Sequence, residues 1–338
     1  MAMLRSVLGS LWRPSTEKSA RCKYLGRVVL GGSVLWCAAI AACYTWRLDA
    51  WAAVTVFPIW VWVLGGLTII ATARSCAGRR ATVAVASAWC VVLFAFADHP
   101  TSLLWWPGGA SDRTVRIVSL NCAGSSAAVR EIVEMQPDIV LVQESPGREP
   151  LASLAHELFG DEGHVLSGVD ASLVARGEIT PLSIPTSVVS NAVRARIKIA
   201  DKIEVEVVSL RLEPPLVRVD LWSPDCWREQ AANRRRRRKQ LEAIVAAIEP
   251  ASSDFPLIVG GDFNAPPRDA VFDELRPLHD AFGEAGRGWG NSIINSAPFL
   301  RIDQIWLSSQ LHATGVYCSK TEHSDHRMLI CDVLPPKP

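Results

Sequence analysis

The distribution of apolar and polar positions divides the chain near residue 112. Before it, nearly every residue is apolar or small; after it, short strand-like and helix-like segments alternate with ordinary charge. Apolar runs cover about 25–46, 51–73 and 81–97. The first two reach the roughly 20 residues that a helix needs to cross a hydrocarbon core, and the third sits at the lower limit of about 17. Three transmembrane helices are therefore expected within 24–97, after a basic leader at 1–23 that carries Arg5, Arg13, Lys18, Arg21 and Lys23. The first run is too long for a signal peptide, whose apolar core spans about 7 to 15 residues. Trp46, Trp51, Trp60, Trp62, Trp105 and Trp106 lie mostly near run ends, where interfacial anchors belong, and Pro58 is expected to kink the second helix.

Lys and Arg set the expected orientation. The leader and the second connection, with Arg74, Arg79 and Arg80, are basic and read as cytoplasmic. An odd number of crossings then places the rest of the chain outside the cytoplasm, in a multi-pass protein of the cell membrane. Were the third run only interfacial, the C-terminal domain would lie on the other side.

Residues 98–113, with Pro100, Pro107, Gly108 and Gly109, read as a linker to a domain at 114–338. There, 115–120 is a β-rich run ending at Asn121, 126–135 has helical spacing, and 139–142 is a strand ending at Gln143-Glu144. Strand, helix and strand within about thirty residues make an α/β rhythm. Further strands are expected at 187–196, 203–212, 257–261, 301–307 and 328–333, a helix at 227–248, and a helix or helical turn at 272–282.

Composition changes this picture little. The 338 residues carry a net charge of +1, so nothing pulls the whole molecule towards nucleic acid. Of the nine cysteines, those in the apolar third read as small hydrophobes. The others show no CxxC spacing, which removes zinc and redox motifs, although Cys318 and Cys331 could pair across neighbouring strands. Locally, Arg234, Arg235, Arg236, Arg237, Arg238 and Lys239 form a run of cations on one helix. It reads either as a solvated helix start or as an anion-binding surface for lipid headgroups or a nucleic-acid backbone, and lipid is preferred beside a membrane anchor.

The chemistry gathers at strand ends. In Gly261-Asp262-Phe263-Asn264 the side chains of Asp262 and Asn264 are two positions apart and share one face of an extended chain. An ordinary turn would use the same residue types. Four other ends carry polar groups, at Ser119-Leu120-Asn121, Gln143-Glu144-Ser145, Arg301-Ile302-Asp303 and Ser324-Asp325-His326. In this order the five motifs resemble the endonuclease/exonuclease/phosphatase superfamily, whose members include deoxyribonuclease-like nucleases, inositol-phosphate phosphatases and sphingomyelinases.

The resemblance implies a four-layer α/β sandwich of two packed mixed β-sheets flanked by helices, here preceded by a transmembrane region. It also implies a divalent cation, Mg2+ or Mn2+, in a hydrolytic cleft. Hard carboxylate and carboxamide oxygens suit such an ion. The implied roles make Glu144 the principal metal ligand, with Asn121 and Asp325 nearby. Asp262 orients or deprotonates the attacking water, Asn264 holds a phosphoryl oxygen, and His326, oriented by Asp303, is the acid/base or phosphate contact. Arg211 stands where many members have a histidine; it can bind a phosphoryl oxygen but cannot exchange protons near neutral pH. The expected activity is Mg-dependent hydrolysis of a phosphate ester or pyrophosphate, on a lipid-linked substrate. The alternatives are a nuclease of the same fold and an anchored, catalytically silent binding module. No obligate protein partner is expected.

Overall fold

A computed structural model describes residues 16–105, 114–199, 203–216, 218–248 and 255–335. The first fifteen residues of the leader and residues 106–113, half of the expected linker, lie outside them. The chain forms two compact units, one of residues 1–46 and 58–97, the other of residues 47–57 and 98–338.

The first unit contains α1 (Thr16–Trp46), α2 (Ile59–Ala77) and α3 (Arg79–Phe96). All three are long and apolar enough to cross a membrane. Small residues let them approach: a Cβ on Gly66 would lie 2.2 Å from the ring of Trp89. Trp36 meets Trp89 and Trp62 edge-on, at 5.3 and 6.4 Å between centroids. Cys22 and Cys76, read from sequence as small hydrophobes, form a disulfide.

The second helix starts at Ile59, not at residue 51. Pro58, rather than kinking it, stands as its N-cap with ψ 147°. A proline's ring pushes the preceding residue out of helical conformation, so a helix starts more readily after a proline than through it. The displaced stretch 47–57 belongs to the second unit.

That unit is built on two six-stranded mixed sheets. The first runs β11-β12-β1-β2-β4-β3 and the second β5-β6-β7-β8-β10-β9. The central strands are β1 (Val115–Asn121), β2 (Ile139–Gln143), β7 (Ile203–Arg211), β8 (Leu257–Asp262), β10 (Asp303–Leu307) and β12 (Met328–Leu334). The outer ones are β3 (Gly163–Ser167), β4 (Ala171–Arg176), β5 (Glu178–Pro181), β6 (Ala192–Ile199), β9 (His279–Asp280) and β11 (His312–Ser319).

Alternation along each strand decides the layers. Ile117, Leu141 and Leu173 of the first sheet meet Val207, Ile258 and Ile305 of the second in one shared core. Their neighbours Val118, Leu120, Val140 and Val142 point the other way, onto α4 (Ser126–Glu131) and α5 (Arg148–Phe159). On the far side, α6 (Pro224–Ile248) lays Leu241, Ile244 and Ile248 over Val208, Leu210 and Val259. Strands covered on both faces are nearly continuous in apolar residues, which is why they were visible in the sequence. This is the expected four-layer α/β sandwich.

The expected strand at 187–196 starts instead at Ala192, after a loop. The stretch 272–282, expected as a helix or helical turn, is the end of a 3-10 turn (Ala270–Leu275), then β9 and α7 (Ala281–Ala285). Cys318 and Cys331 do not pair, because the β11–β12 register sets them opposite Leu329 and Val316.

β1 and β2 are parallel, as are β7 and β8, while β10 and β12 run against them. One rim therefore collects the ends of β1, β2, β7 and β8 with the starts of β10 and β12.

Candidate active site

Each expected catalytic or metal-binding residue except Asp325 is buried or half-buried at this rim. Register brings them together: β10 sets Asp303 opposite Asp262, and β7 sets Arg211 beside Asp262. The two glycines before Asp262 are sterically required. A Cβ on Gly260 would lie 2.6 Å from Leu141 of the facing sheet. Gly261 has φ 137°, and a Cβ there would fall 2.0 Å from the carbonyl oxygen of Leu210.

Asp262 is the hub. Its Oδ2 accepts from Asn121 Nδ2 at 3.0 Å and its Oδ1 from the Asn264 backbone N–H at 2.9 Å. His326 Nδ1 lies 2.8 Å from Asp303 Oδ2. Asp262, Asp303 and His326 are all buried and bring one ligand-type atom each within 4.8 Å of one another. Burial pushes the Asp262 carboxyl up, Asp303 adds to this and His326 opposes it, leaving a value of about 6. For His326, burial acts downwards, but the charge and hydrogen bond of Asp303, with Asp262 and Asp325, outweigh it and raise the imidazole to about 10. One member of the set is thus poised to take a proton near neutral pH while the other stays charged.

Glu144 lies at the open side of the same cluster. Its Oε1 accepts from Asn121 Nδ2 at 2.9 Å and meets Arg211 NH2 at 2.8 Å. Glu144 has φ 44° and Asn264 φ 50°. Left-handed backbone at non-glycine residues costs of order 1–3 kcal/mol and persists where the surroundings impose it, as at functional sites.

The structure alters three expected roles. Asn121 turns its Oδ1 to the backbone N–H of Ala123 at 3.0 Å, so its amide nitrogen, not its oxygen, faces the cleft. That nitrogen bridges Glu144 and Asp262. Asn264 donates from Nδ2 to the Leu212 carbonyl at 2.8 Å, which fixes the loop after β8. The expected anion-binding run is divided: Arg234 and Arg237 are buried, and Arg236 and Arg238 are paired with Glu213 and Asp49. Helix phase explains this, because six consecutive residues cover every side of α6 and some must face inward. Arg235 and Lys239 remain exposed.

Sequence reasoning missed Asp170 and Ser292 and gave no role to Ser324. Asp170 holds the Glu144 N–H through its backbone oxygen at 2.8 Å and lies 3.7 Å from Arg211. Ser292 Oγ accepts from the Asp303 N–H at 3.2 Å, and Ser324 Oγ accepts from His326 N–H at 3.0 Å while donating to the Asn121 carbonyl at 2.6 Å. All three lie in loops outside any periodic pattern.

The donor chemistry fits a hard divalent cation. Carboxylates crowd the rim, and Asp303 Oδ1 is buried without a hydrogen-bond partner, which calls for an ion, water or substrate group. A second cluster, Asp98, His99 and Asp280, has similar spacing, but the Arg301 guanidinium bonds both its carboxylates and supplies the positive charge itself.

A buried carboxylate hub, a histidine–aspartate pair and a rim carboxylate on paired sheets are compatible with metal-dependent phosphoester hydrolysis. The chain belongs to the Endonuclease/Exonuclease/phosphatase family, whose model matches residues 118–326. Members hydrolyse phosphodiester or phosphomonoester bonds and depend on divalent metal. Among solved structures, the endonuclease/exonuclease/phosphatase from Bacteroides vulgatus is 18% identical with TM-score 0.50, covering 66% of this chain and 99% of that one. A humanized D. rerio TDP2 is 19% identical with TM-score 0.48 over 66% and 99%. The mannosyl-6-phosphatase Bt3783 of Bacteroides thetaiotaomicron is 15% identical with TM-score 0.47 over 65% and 99%. No curated protein matches the chain.

Proposed function

We propose that this protein is a membrane-anchored, Mg-dependent phosphoesterase that hydrolyses a phosphate ester or pyrophosphate of a lipid-linked substrate. The observation that carries this reading is the buried Asp262–Asp303–His326 cluster beside Glu144, in a chain with three apolar helices. Asp262 takes the proton of the attacking water. His326, held charged by Asp303, donates a hydrogen bond to the phosphoryl group. Arg211, whose Nε is buried and unpartnered, neutralises a phosphoryl oxygen. Glu144 and Asp325 would hold the cation, which supplies charge neutralisation on the phosphate.

Topology supports the anchoring. Residues 47–57 and 98–338 form one unit, so the chain before α2 and after α3 lies on one side of a membrane. Two crossings between those segments meet that requirement and one does not, so α2 and α3 cross together. The basic leader and Arg74, Arg79 and Arg80 support a catalytic unit outside the cytoplasm. The Cys22–Cys76 disulfide at the opposite ends of α1 and α2 argues the other way, because disulfides persist in oxidising compartments. We give the charge rule precedence, since it draws on many residues. Labelling of Lys198→Cys in intact cells by a membrane-impermeant thiol reagent tests the side; protection would reverse it.

The activity test uses the full chain in mixed detergent micelles with Mg2+ or EDTA. The panel holds a lipid pyrophosphate, a phospholipid, an inositol phosphate and DNA. Mg-dependent release from a lipid-linked ester, lost in Asp262→Asn and His326→Gln, supports the reading. Release from DNA alone would replace it with a nuclease.

A further inference from the structure

The chain passes between the two units at residues 46/47, 57/58 and 97/98. On the catalytic unit, all three passages are tied beside the catalytic rim. Arg234, 1% exposed, donates to the carbonyls of Arg47 and Leu48 at 3.3 and 3.2 Å and to the hydroxyl of Thr55. The same guanidinium bonds Asp269 at 3.1 Å, in the segment that continues from Asp262 and Asn264. Its neighbour Arg237 donates to the Asn264 carbonyl at 2.7 Å. Arg301, two positions before Asp303, clasps Asp98 at 2.7 and 3.0 Å.

A second, independent feature lies on that rim. Val169, Val189 and Ile294 are 71%, 53% and 56% exposed, on three separate loops. Each is one or two residues from a backbone bond to the site. Asp170 O accepts from Glu144 N–H, Asn191 O from Arg211 N–H, and Asn295 N–H donates to Asp325 O. Val219 and Trp222, also exposed, lie on the loop that follows Arg211. Single exposed apolar side chains are ordinary, but five on the loops that frame one cleft mark an interaction surface. The far end of the strands shows the contrast, with Lys198 exposed at the end of β6.

We propose that the catalytic rim works against a lipid surface, with the aliphatic side chains of Val169, Val189 and Ile294 seated among the outermost acyl groups. The substrate's phosphate then enters the cleft from the headgroup layer without leaving the bilayer. This deepens the phosphoesterase reading and rests on it for the identity of the substrate, but the placement of the rim is testable without turnover. The occupant is the bilayer because the passages to the apolar helices are bound at this same rim. That fits helices which restrict the rim to the membrane surface.

The test reconstitutes the full chain in phosphatidylcholine–phosphatidylglycerol vesicles. Val169→Cys, Val189→Cys, Ile294→Cys and, as control, Lys198→Cys are labelled with an environment-sensitive fluorophore, with the labelled unsubstituted protein as blank. Rim probes should be quenched at least twofold by nitroxide lipids and shielded from iodide, and the probe at 198 should show the reverse. Rim probes open to iodide, or shielded from it yet untouched by lipid nitroxide as a protein partner would leave them, overturn the proposal. In parallel, Val169→Asp combined with Ile294→Asp should lower the ratio of vesicle-borne to water-soluble ester hydrolysis at least tenfold. An unchanged ratio overturns the proposal. Hydrolysis of neither ester by the unsubstituted protein overturns the phosphoesterase reading, while the probes still decide the surface.

Discussion

At the scale of single residues, Asp262 joins every part of the site. Asn121 ties it to Glu144, and register sets it against Asp303 and Arg211. Asp262→Asn keeps the shape but cannot accept a proton, so kcat should fall by about 10² to 10⁴ while the fold, read by circular dichroism, is retained. Asp303→Asn should leave His326 without its charged partner and lower its pKa, seen as a shift of the imidazole titration by NMR. Gly261→Ala should destabilise the unit by more than 1 kcal/mol in denaturant unfolding, since φ 137° and the Leu210 carbonyl leave no room for a Cβ. These residues were legible because a polar side chain at the end of an apolar strand stands out. The bonds of Asn121 and Asn264 were not, because which end of an amide faces the cleft depends on neighbours distant in sequence.

At the scale of elements, α6 shows how one pattern hides two roles. Its six cations look alike in sequence, yet Arg234 and Arg237 are buried under a strap of residues 47–57 and the loop after β8, while Arg235 is exposed. Arg234→Leu should cost about 3–5 kcal/mol, because Asp269 is left buried and unpaired. Arg235→Leu should change stability by less than about 0.5 kcal/mol in the same thermal unfolding measurement. The Arg301 clasp adds a pH dependence. Burial acts to raise the Asp280 carboxyl, but the charge of Arg301, with the hydrogen bonds of His99 and Arg301, holds it at about 2. A carboxyl held below its ordinary value stabilises the fold above pH of about 4, and that contribution, about 2–3 kcal/mol, is lost as pH falls towards 2. Denaturant unfolding at pH 5 and pH 3 should show about 1 kcal/mol of this loss, the remainder falling below pH 3, and Asp280→Asn should remove most of it.

At the scale of the whole molecule, the catalytic unit is assembled from two stretches of chain separated by α2 and α3. A chain starting at residue 114 lacks both Asp98 and the strap. Arg301 and Arg234 then lose partners inside a buried network. Such a chain should unfold at a lower temperature than the full protein in detergent, and adding a peptide of residues 47–57 should recover part of the difference. Equal melting temperatures would show that the strap contributes nothing.

The sequence by itself determined the apolar helices, the α/β strands and the five polar strand ends, because each rests on local period and on chemistry placed at a boundary. It could not assign residues 47–57, since an apolar stretch beside a membrane helix reads the same whether lipid or protein covers it. Nor could it divide the arginine run, as helix phase relative to a distant loop selects which cations face inward. Only the tertiary structure decided those points. The partners are the Arg47 and Leu48 carbonyls, Asp49, Asp98 and Asp269, and they reach the arginines across nearly two hundred residues of chain in most cases.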